Sequence, residues 1–334
     1  MTRKPTMLFS AKHSTRIGAW NVRTLYQSGK CQQLAREMDR YNIEILGISE
    51  VRWNTSGMTT LSSGHTIIYS GNPSKDDPHD KGVGFMLTKK AARALLEWNP
   101  VSSRIISARF ETKFQKTTII QVYAPTNNAE ENEKEDFYSS LQTVFNNVPK
   151  RDILMITGDL NAKVGSERVG RECEIGPHGI GTINENGELF ADFCAVNSLV
   201  IGGTLFPHKP CHKTPWMSPT GETENQIDHF AIARRWRSSL LDARVKRGAD
   251  ISSDHHLVVA KIRLKILAQK RTETKRRKFN IGRLKDPNIA KEFQLTLQNK
   301  FSILQQLNGN EEDINSKSSP NTLLKFFSPS ISNN

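Results

Sequence analysis

The residues in this sequence best placed to do chemistry are polar side chains that close or open apolar runs. Asn21 ends IGAWN, Glu50 ends IEILGISE, and Tyr123 lies in IIQVYAPT. Asp159 and Asn161 end ILMITGDLN, Asp228 lies in NQIDHF, and Asp254 and His255 open SDHHLVVAKI. Carboxylates, carboxamides, a phenol and an imidazole are groups that transfer protons and hold charged ligands. Strand ends followed by loops are where a rigid scaffold presents them. Singly, each is an ordinary turn residue after a strand; the weight lies in the ordered set. His229 and His256 read as supporting residues, because neighbouring side chains on a strand point to opposite faces.

The segments that must position this set are short, apolar and rich in β-branched residues, the signature of strands. Strands are predicted at residues 16–22, 43–49, 65–70, 82–87, 105–111, 117–123, 153–158, 227–233, 241–246 and 256–264. Helical spacing appears over 30–41, with Leu34, Met38 and Tyr41 on one face. It recurs over 131–146, through Phe137, Leu141, Val144 and Phe145, and over 187–196. Asn127 or Asn128 is the expected N-cap of the second helix, and the acidic run 130–136 reads as its solvated face. Many strands with a few interspersed helices imply an α/β fold, a two-layer β-sandwich flanked by helices.

Residues 1–15 are expected to form a flexible lead-in and 16–266 the folded domain. The composition changes near Lys265. Residues 269–278 (QKRTETKRRK) carry six basic side chains, which suit a nuclear-localisation signal, a phosphate-binding patch or a solvated linker. Ile289, Phe293, Leu297, Phe301 and Leu304 then space an amphipathic helix over 288–307, before a Ser-, Asn- and Pro-rich end that reads as disordered. There is no internal repeat.

Bulk composition narrows the partners. Of 334 residues, 36% are hydrophobic, with 15 Phe and 5 Trp, enough for a sizeable core. The formal charge of +13 and a pI near 9.6 favour polyanionic partners such as nucleic acid or anionic lipid. Cys31, Cys173, Cys194 and Cys211 form no C-x-x-C pair, which argues against a zinc ribbon or a redox motif. His208, Cys211 and His212 lack a second ligand pair, so zinc is not indicated. Scattered thiols suit a reducing compartment. No apolar run approaches the roughly 18 residues of a membrane helix, and the N-terminus has too little apolar content for a signal peptide. An intracellular protein with no membrane partner is expected.

Taken in register, Trp20-Asn21, Ser49-Glu50, the VYAP ending at Pro125, the GDLN ending at Asn161, the QIDH ending at His229 and the SDH ending at His255 resemble the endonuclease/exonuclease/phosphatase superfamily. The resemblance runs over residues 16–264. More narrowly, AWNVRTL, GDLNAKVG, NENGELF, HKTPWMSPTGETENQIDH and SDHHLVVAKI resemble the endonuclease domain of LINE-type retrotransposons and craniofacial-development-protein-2-like sequences.

That resemblance implies a two-sheet sandwich with the strand-end residues converging on one cleft. It implies that Glu50 binds Mg²⁺, or Mn²⁺ in its place, with Asn21 and Asp254 beside it; hard oxygen donors suit such ions. The ion would neutralise the scissile phosphate and the leaving 3′ oxygen. Asp159 and Asn161 would position the attacking water and hold the phosphate. His255 would bond the phosphate or act as base, oriented by Asp228. Tyr123 would bond the phosphate, or else be a packed strand aromatic. Arg23, Trp216 and Ser253 would contact DNA.

The implied function is Mg²⁺-dependent hydrolysis of a DNA phosphodiester to leave a 3′-hydroxyl nick, with no small-molecule cofactor and a nuclear or cytoplasmic setting, the nucleus being favoured. Abasic-site or other phosphoester cleavage, and a non-catalytic DNA- or chromatin-binding remnant, are the alternatives. No reverse-transcriptase signature follows, so an endonuclease domain standing alone is expected. Two departures fall in a segment expected to touch DNA: Pro215 stands where those endonucleases usually have Thr, and Thr220 replaces an acid. Pro215, lacking an N–H for a ladder or a phosphate, is expected to lower activity, or else to sit harmlessly in a loop with Thr214 supplying the hydroxyl one residue earlier.

Overall fold

The computed structural model describes residues 8–112, 115–265 and 284–307. Among these, the strands are β1 (Thr15–Asn21), β2 (Ile45–Ser49), β3 (Ser56–Thr60), β4 (Thr66–Ser70), β5 (Val83–Leu87), β6 (Leu95–Ser102), β7 (Ile105–Phe110) and β8 (Thr117–Tyr123). They continue with β9 (Ile153–Asp159), β10 (Leu199–Ile201), β11 (Trp216–Met217), β12 (Glu224–Asn225), β13 (Asp228–Ala233), β14 (Leu240–Lys246) and β15 (Leu257–Ile262). The helices are α1 (Lys30–Arg40), α2 (Lys89–Ala94), α3 (Glu131–Asn147), α4 (Glu185–Val196) and α5 (Pro287–Leu307).

All ten predicted strands are present with ends shifted by a residue or two, and so are the four predicted helices. The elements without a sequence signal have local reasons. β3 is almost wholly exposed, so no buried face imposes alternation. β6 contains Pro100 and lies at the edge of its sheet, where a missing donor is tolerated. α2 has only six residues, stabilised by the Thr88 hydroxyl, which accepts from the Ala91 N–H. The expected Asn cap of α3 is not found. Glu130 occupies that position without a side-chain bond, and the Asn127 side chain instead accepts from the backbone N–H of Asn186.

Two sheets stack face to face. One has the order β14-β15-β1-β2-β5-β4-β3 and the other β10-β13-β9-β8-β7-β6. Each contains one parallel pair near its middle, β1 with β2 and β8 with β9. Parallel neighbours end on the same side, so Asn21 pairs with Ser49 and Tyr123 with Asp159 at their carboxyl ends. β15 and β13 run antiparallel to β1 and β9, which brings their amino ends to that same side. A third ribbon, β11 with β12, is bridged through Trp216 to His255, just before β15.

Phe85, Phe110, Ile17, Ile45, Met155 and Phe230 fill the space between the sheets. Leu34 and Met38 of α1 pack with Trp20, Ile43 and Leu46 in a second cluster. Phe137 and Leu141 of α3 join Phe190 and Cys194 of α4 in a third. This is the expected two-layer sandwich flanked by helices. Leu8 and Phe9, assigned to a flexible lead-in by the sequence, are each 1% exposed and belong to the central cluster, so ordered packing begins before residue 16.

The chain divides into two units, Met1–Leu267 and Ala268–Asn334. In the second, the described residues include α5, whose first backbone donors are met by Asp286: its side chain accepts from Asn288 N–H. The basic segment 269–278 lies outside the described residues.

At the site end the sheets approach closely. Gln121 Nε2 donates to Ser49 Oγ (3.0 Å), which donates to the Val122 carbonyl (3.1 Å), and a Cβ on Gly47 would sit 2.0 Å from Gln121 Oε1. Gly158, φ +139°, leaves no room for a side chain: a Cβ would meet the Val122 carbonyl at 2.0 Å. Gly158→Ala is therefore expected to destabilise the domain by at least about 3 kcal/mol, from backbone strain plus overpacking. Gly170→Ala, also at positive φ but with nothing within 4 Å, should cost only about 1–2 kcal/mol. Urea unfolding of the two variants measures the difference, and equal losses would contradict the steric account.

Candidate active site

Asn21 closes β1, and its carboxamide nitrogen donates to Glu50 Oε1 (2.8 Å) and to Asp159 Oδ2 (2.9 Å). Glu50 follows β2 in the same sheet; Asp159 closes β9 in the other. The second Asp159 oxygen accepts from Asn161 N (3.0 Å), while the Asn161 amide donates to the Ala124 carbonyl (3.0 Å). Asp228 opens β13 directly across the ladder from Asp159. Its Oδ2 accepts from His255 Nδ1 at 2.8 Å, and His255 Nε2 lies 3.8 Å from Asp159 Oδ2. Asn21, Asp159, Asp228 and His255 are all buried.

The loops that leave these strands carry backbone strain at the residues that matter. Arg23 (φ +58°), Glu50 (+54°), Arg52 (+59°) and Asn161 (+50°) are left-handed without being glycine. Hydrogen bonds hold them there. The Asn161 carbonyl accepts from Asn184 Nδ2 and Asn186 Nδ2 at the start of α4, each at 3.3 Å. Asn184 also caps that helix through Gly187 N–H (2.8 Å). The NENGELF segment thus braces the Asn161 loop.

Burial and neighbouring charge set the proton affinities. Burial, reinforced by the facing Asp228 carboxylate, pushes Asp159 up to about 7 against the pull of His255 and its hydrogen-bond donors. His255 is pulled down by burial. The charge and hydrogen bond of Asp228, followed by Asp159 and Asp254, outweigh that and carry it up to about 9. The imidazole is therefore cationic at neutral pH. The phenol of Tyr123 is raised above its usual range by burial, then by Glu50 and Asp159, and so remains an O–H donor.

Asp254, Arg23 and Trp216 form a flank rather than part of the central cluster. Trp216 Nε1 donates to Asp254 Oδ2 (3.3 Å), and Arg23 Nε lies 3.8 Å from Asp254 Oδ1. Ser253 supports the site from within: its hydroxyl donates to the Asn21 carbonyl (2.7 Å) and accepts from His255 N (3.1 Å). His229 is structural as expected, buried with Nε2 2.6 Å from the Ala162 carbonyl.

Pro215 lies beside this flank. The residue is buried, and its carbonyl, not its nitrogen, serves the short ladder by accepting from His256 N (2.6 Å). Thr214 is buried too, its hydroxyl donating to Glu224 (2.6 Å) and accepting from Arg247 (2.9 Å). Neither position offers a donor to a substrate. Thr220 is exposed and pairs with Ser218 (3.1 Å) in the turn between β11 and β12.

Sequence reasoning missed two arginines. Arg52 Nη2 holds Glu50 Oε2 at 2.8 Å. Arg104 lies over the Tyr123 ring at 5.2 Å and donates to the Tyr123 carbonyl (3.1 Å). The one available signal was the position of Arg52 two residues after Glu50.

A cation has two sets of candidate donors. Ligand atoms of Asp159, Asp228 and His255 lie within 4.8 Å of one another, and this buried group could hold a metal. Asp228 Oδ1 and Asp254 Oδ1 are buried acceptors without a hydrogen-bond partner; Arg23 offsets the charge of Asp254 from 3.8 Å, which leaves Asp228 Oδ1 the less compensated of the two.

The model of the endonuclease/exonuclease/phosphatase family matches residues 18–255. The chain belongs to that family. It is 44% identical over 251 residues to craniofacial development protein 2 of Tragulus javanicus, covering 75% of this chain and 42% of that protein. The Bos taurus counterpart is 43% identical over the same length, 41% of it covered; the chain thus spans less than half of these relatives. Among solved structures, it resembles the endonuclease domain of TRAS1, a telomere-specific non-LTR retrotransposon (TM-score 0.52, 15% identity, 76% of this chain and 100% of that one). It also resembles the 3′-5′ exonuclease NExo of Neisseria meningitidis (0.56, 18%, 75% and 100%) and the AP endonuclease LMAP of Leishmania major (0.56, 13%, 77% and 90%). At these identities the likeness is one of fold.

In this family member, the Asp228 carboxylate is the main reason that His255 keeps its proton. Replacing it in Asp228→Asn should move the His255 titration, followed by NMR of the imidazole in metal-free protein, from near 9 to clearly lower pH. A titration that stays in place would remove Asp228 as the cause.

Proposed function

We propose that this chain is a Mg²⁺-dependent DNA endonuclease of the retrotransposon type, cutting a phosphodiester to leave a 3′-hydroxyl. The observation that carries this reading is the Asn21 clasp. It fixes Glu50 of one sheet and Asp159 of the other beside the His255–Asp228 pair. Family membership supports hydrolysis of phosphoesters, and the +13 charge supports a polyanionic substrate.

Glu50 and Asp254 would hold Mg²⁺, since an oxygen-only set suits this ion better than one containing histidine. When bound, the ion would offset charge on the phosphate and on the leaving oxygen. Asn21, whose Oδ1 accepts from Arg23 N–H (3.0 Å), orients the Glu50 carboxylate rather than presenting an oxygen of its own. His255 donates Nε2–H to a phosphate oxygen as a cation, and the Tyr123 hydroxyl donates a second hydrogen bond. Asp159, whose affinity lies near neutrality, accepts the proton of the attacking water. Asn161 keeps the Asp159 carboxylate in place. This division assigns the base role to Asp159, because a buried imidazole already holding a proton cannot take another.

Nicking of supercoiled plasmid tests the reading. Wild type should convert it to open circle with Mg²⁺ and stop in EDTA. Asp159→Asn should lower the rate at least about a hundredfold, the usual contribution of a positioned base. A folded wild-type chain that leaves plasmid intact over a range of Mg²⁺ and Mn²⁺ would overturn the assignment.

The pH profile checks the roles separately. kcat/KM should rise as Asp159 loses its proton and fall as His255 loses its own, giving a bell. Asp228 raises the His255 affinity, so Asp228→Asn must move the alkaline limb to lower pH. If activity instead rises as His255 deprotonates, the imidazole is the base.

A further inference from the structure

A concavity of about 270 Å³ lies on the face of β14, β15 and β1, beside the carboxyl end of α1. Strand alternation places Asp242, Arg244 and Lys246 on one face of β14, and Arg16 pairs with Lys261 across β1 and β15. Five cations, Arg16, Arg40, Arg244, Lys246 and Lys261, face one carboxylate there, Asp242. That carboxylate is already used: Arg244 Nε and His208 Nε2 each lie 2.6 Å from one of its oxygens. Among the described residues, no carboxylate lies within ion-pairing distance of Arg16, Lys246 or Lys261. Arg16 instead spends one nitrogen on the Tyr41 carbonyl (2.6 Å), which fixes its guanidinium at the pocket wall. Burial first, and then Arg244, push the Lys246 ammonium below its ordinary range; Asp242 pulls it back and Arg16 adds to the lowering.

We propose that this pocket is a second phosphate-binding site, separate from the catalytic cleft, that takes the backbone of a nucleic-acid strand. Guanidinium forks and free ammonium groups in a concave wall match phosphate oxygens, and a bound phosphate removes the repulsion the pocket now holds. A strand rather than a lone phosphate follows from what lies at the other end of β14. There a second concavity of about 610 Å³ includes Leu240 and Leu241 together with Arg234, Arg237 and Lys265, and no carboxylate. Two cationic hollows joined by one strand suit an anion with repeated charges. The pocket is distinct from the cleft, since Arg16 stands five residues before Asn21 on β1, about 17 Å away.

The test uses the full chain and the double variant Lys246→Glu, Lys261→Glu, with Lys246→Gln, Lys261→Gln as a milder second variant. Binding of a long labelled duplex is followed by anisotropy across salt concentrations, beside a short duplex able to fill only the cleft. The charge-reversed protein should lose at least about tenfold in affinity for the long duplex, with a log–log salt slope shallower by about two units. The neutral variant should show the same slope change, and the short duplex should bind both as it binds wild type. An unchanged slope in either folded variant overturns the proposal, and an equal loss on the short duplex overturns its separateness from the cleft. Inorganic pyrophosphate distinguishes the sources: if it shifts the Lys246 and Lys261 amide resonances while the long duplex does not, the site takes free phosphate and the strand assignment falls. These readouts need no cleavage, so a chain that fails to nick plasmid still decides the matter.

Discussion

One carboxamide ties the two halves of this molecule together where its chemistry sits. Asn21 donates to the half-buried Glu50 in its own sheet and to the buried Asp159 in the opposite sheet. Buried carboxylates are costly unless hydrogen-bonded, so the shared donor offsets the penalty for bringing them together. The clasp works only because the sheets meet closely there, with glycine at position 47 and the Ser49–Gln121 pair between the strands. It also requires parallel pairs at the centre of both sheets, since these deliver their carboxyl ends to one side.

Around that clasp, the fold accepts strain for placement. Arg23, Glu50, Arg52 and Asn161 lie in the left-handed region, at a cost of about 1–2 kcal/mol each for a side chain bearing a Cβ. Glycine would relieve the strain but would remove the groups that line the site. The surroundings over-determine these conformations instead, through Asn184 and Asn186 behind Asn161 and through Arg52 on Glu50. A site built this way is pre-organised and has little reorganisation left when a substrate arrives.

Charge is distributed in opposition between centre and exterior. Asp159 and Asp228 are buried within reach of each other, with Glu50 and Asp254 beside them, in a chain whose overall charge is +13. A basic exterior would attract a polyanion that the acidic centre would repel. Cationic His255, Arg52 on Glu50 and Arg23 beside Asp254 relieve part of that repulsion, and Asp228 Oδ1, which has no hydrogen-bond partner, shows that part of it remains. A divalent cation would resolve the conflict at the point where an approaching phosphate meets it.

The sandwich was legible in the sequence because buried strands must alternate and must be rich in branched residues, and nearly every such run became a strand. The site residues were legible for a related reason: an Asn, Asp or Glu closing an apolar strand stands out against its neighbours. What could not be read was anything set by a partner distant in the chain. β3 carries no pattern because it is almost wholly exposed, and β6 because Pro100 and two register irregularities interrupt it. Asn127 looked like a helix cap, yet its oxygen accepts from the N–H of Asn186, at the start of α4. Pro215 looked like a lost donor until the ladder proved to use its carbonyl. Ser253 looked like a substrate contact until Asn21 and His255 claimed its hydroxyl. The sequence by itself determined which residue types stand at the strand ends, because local propensity and burial act over a few positions. Only the tertiary structure decided which of them share a hydrogen bond, a charge or a proton, because those interactions reach only a few ångströms and join positions up to 235 residues apart, as Trp20 and His255 are.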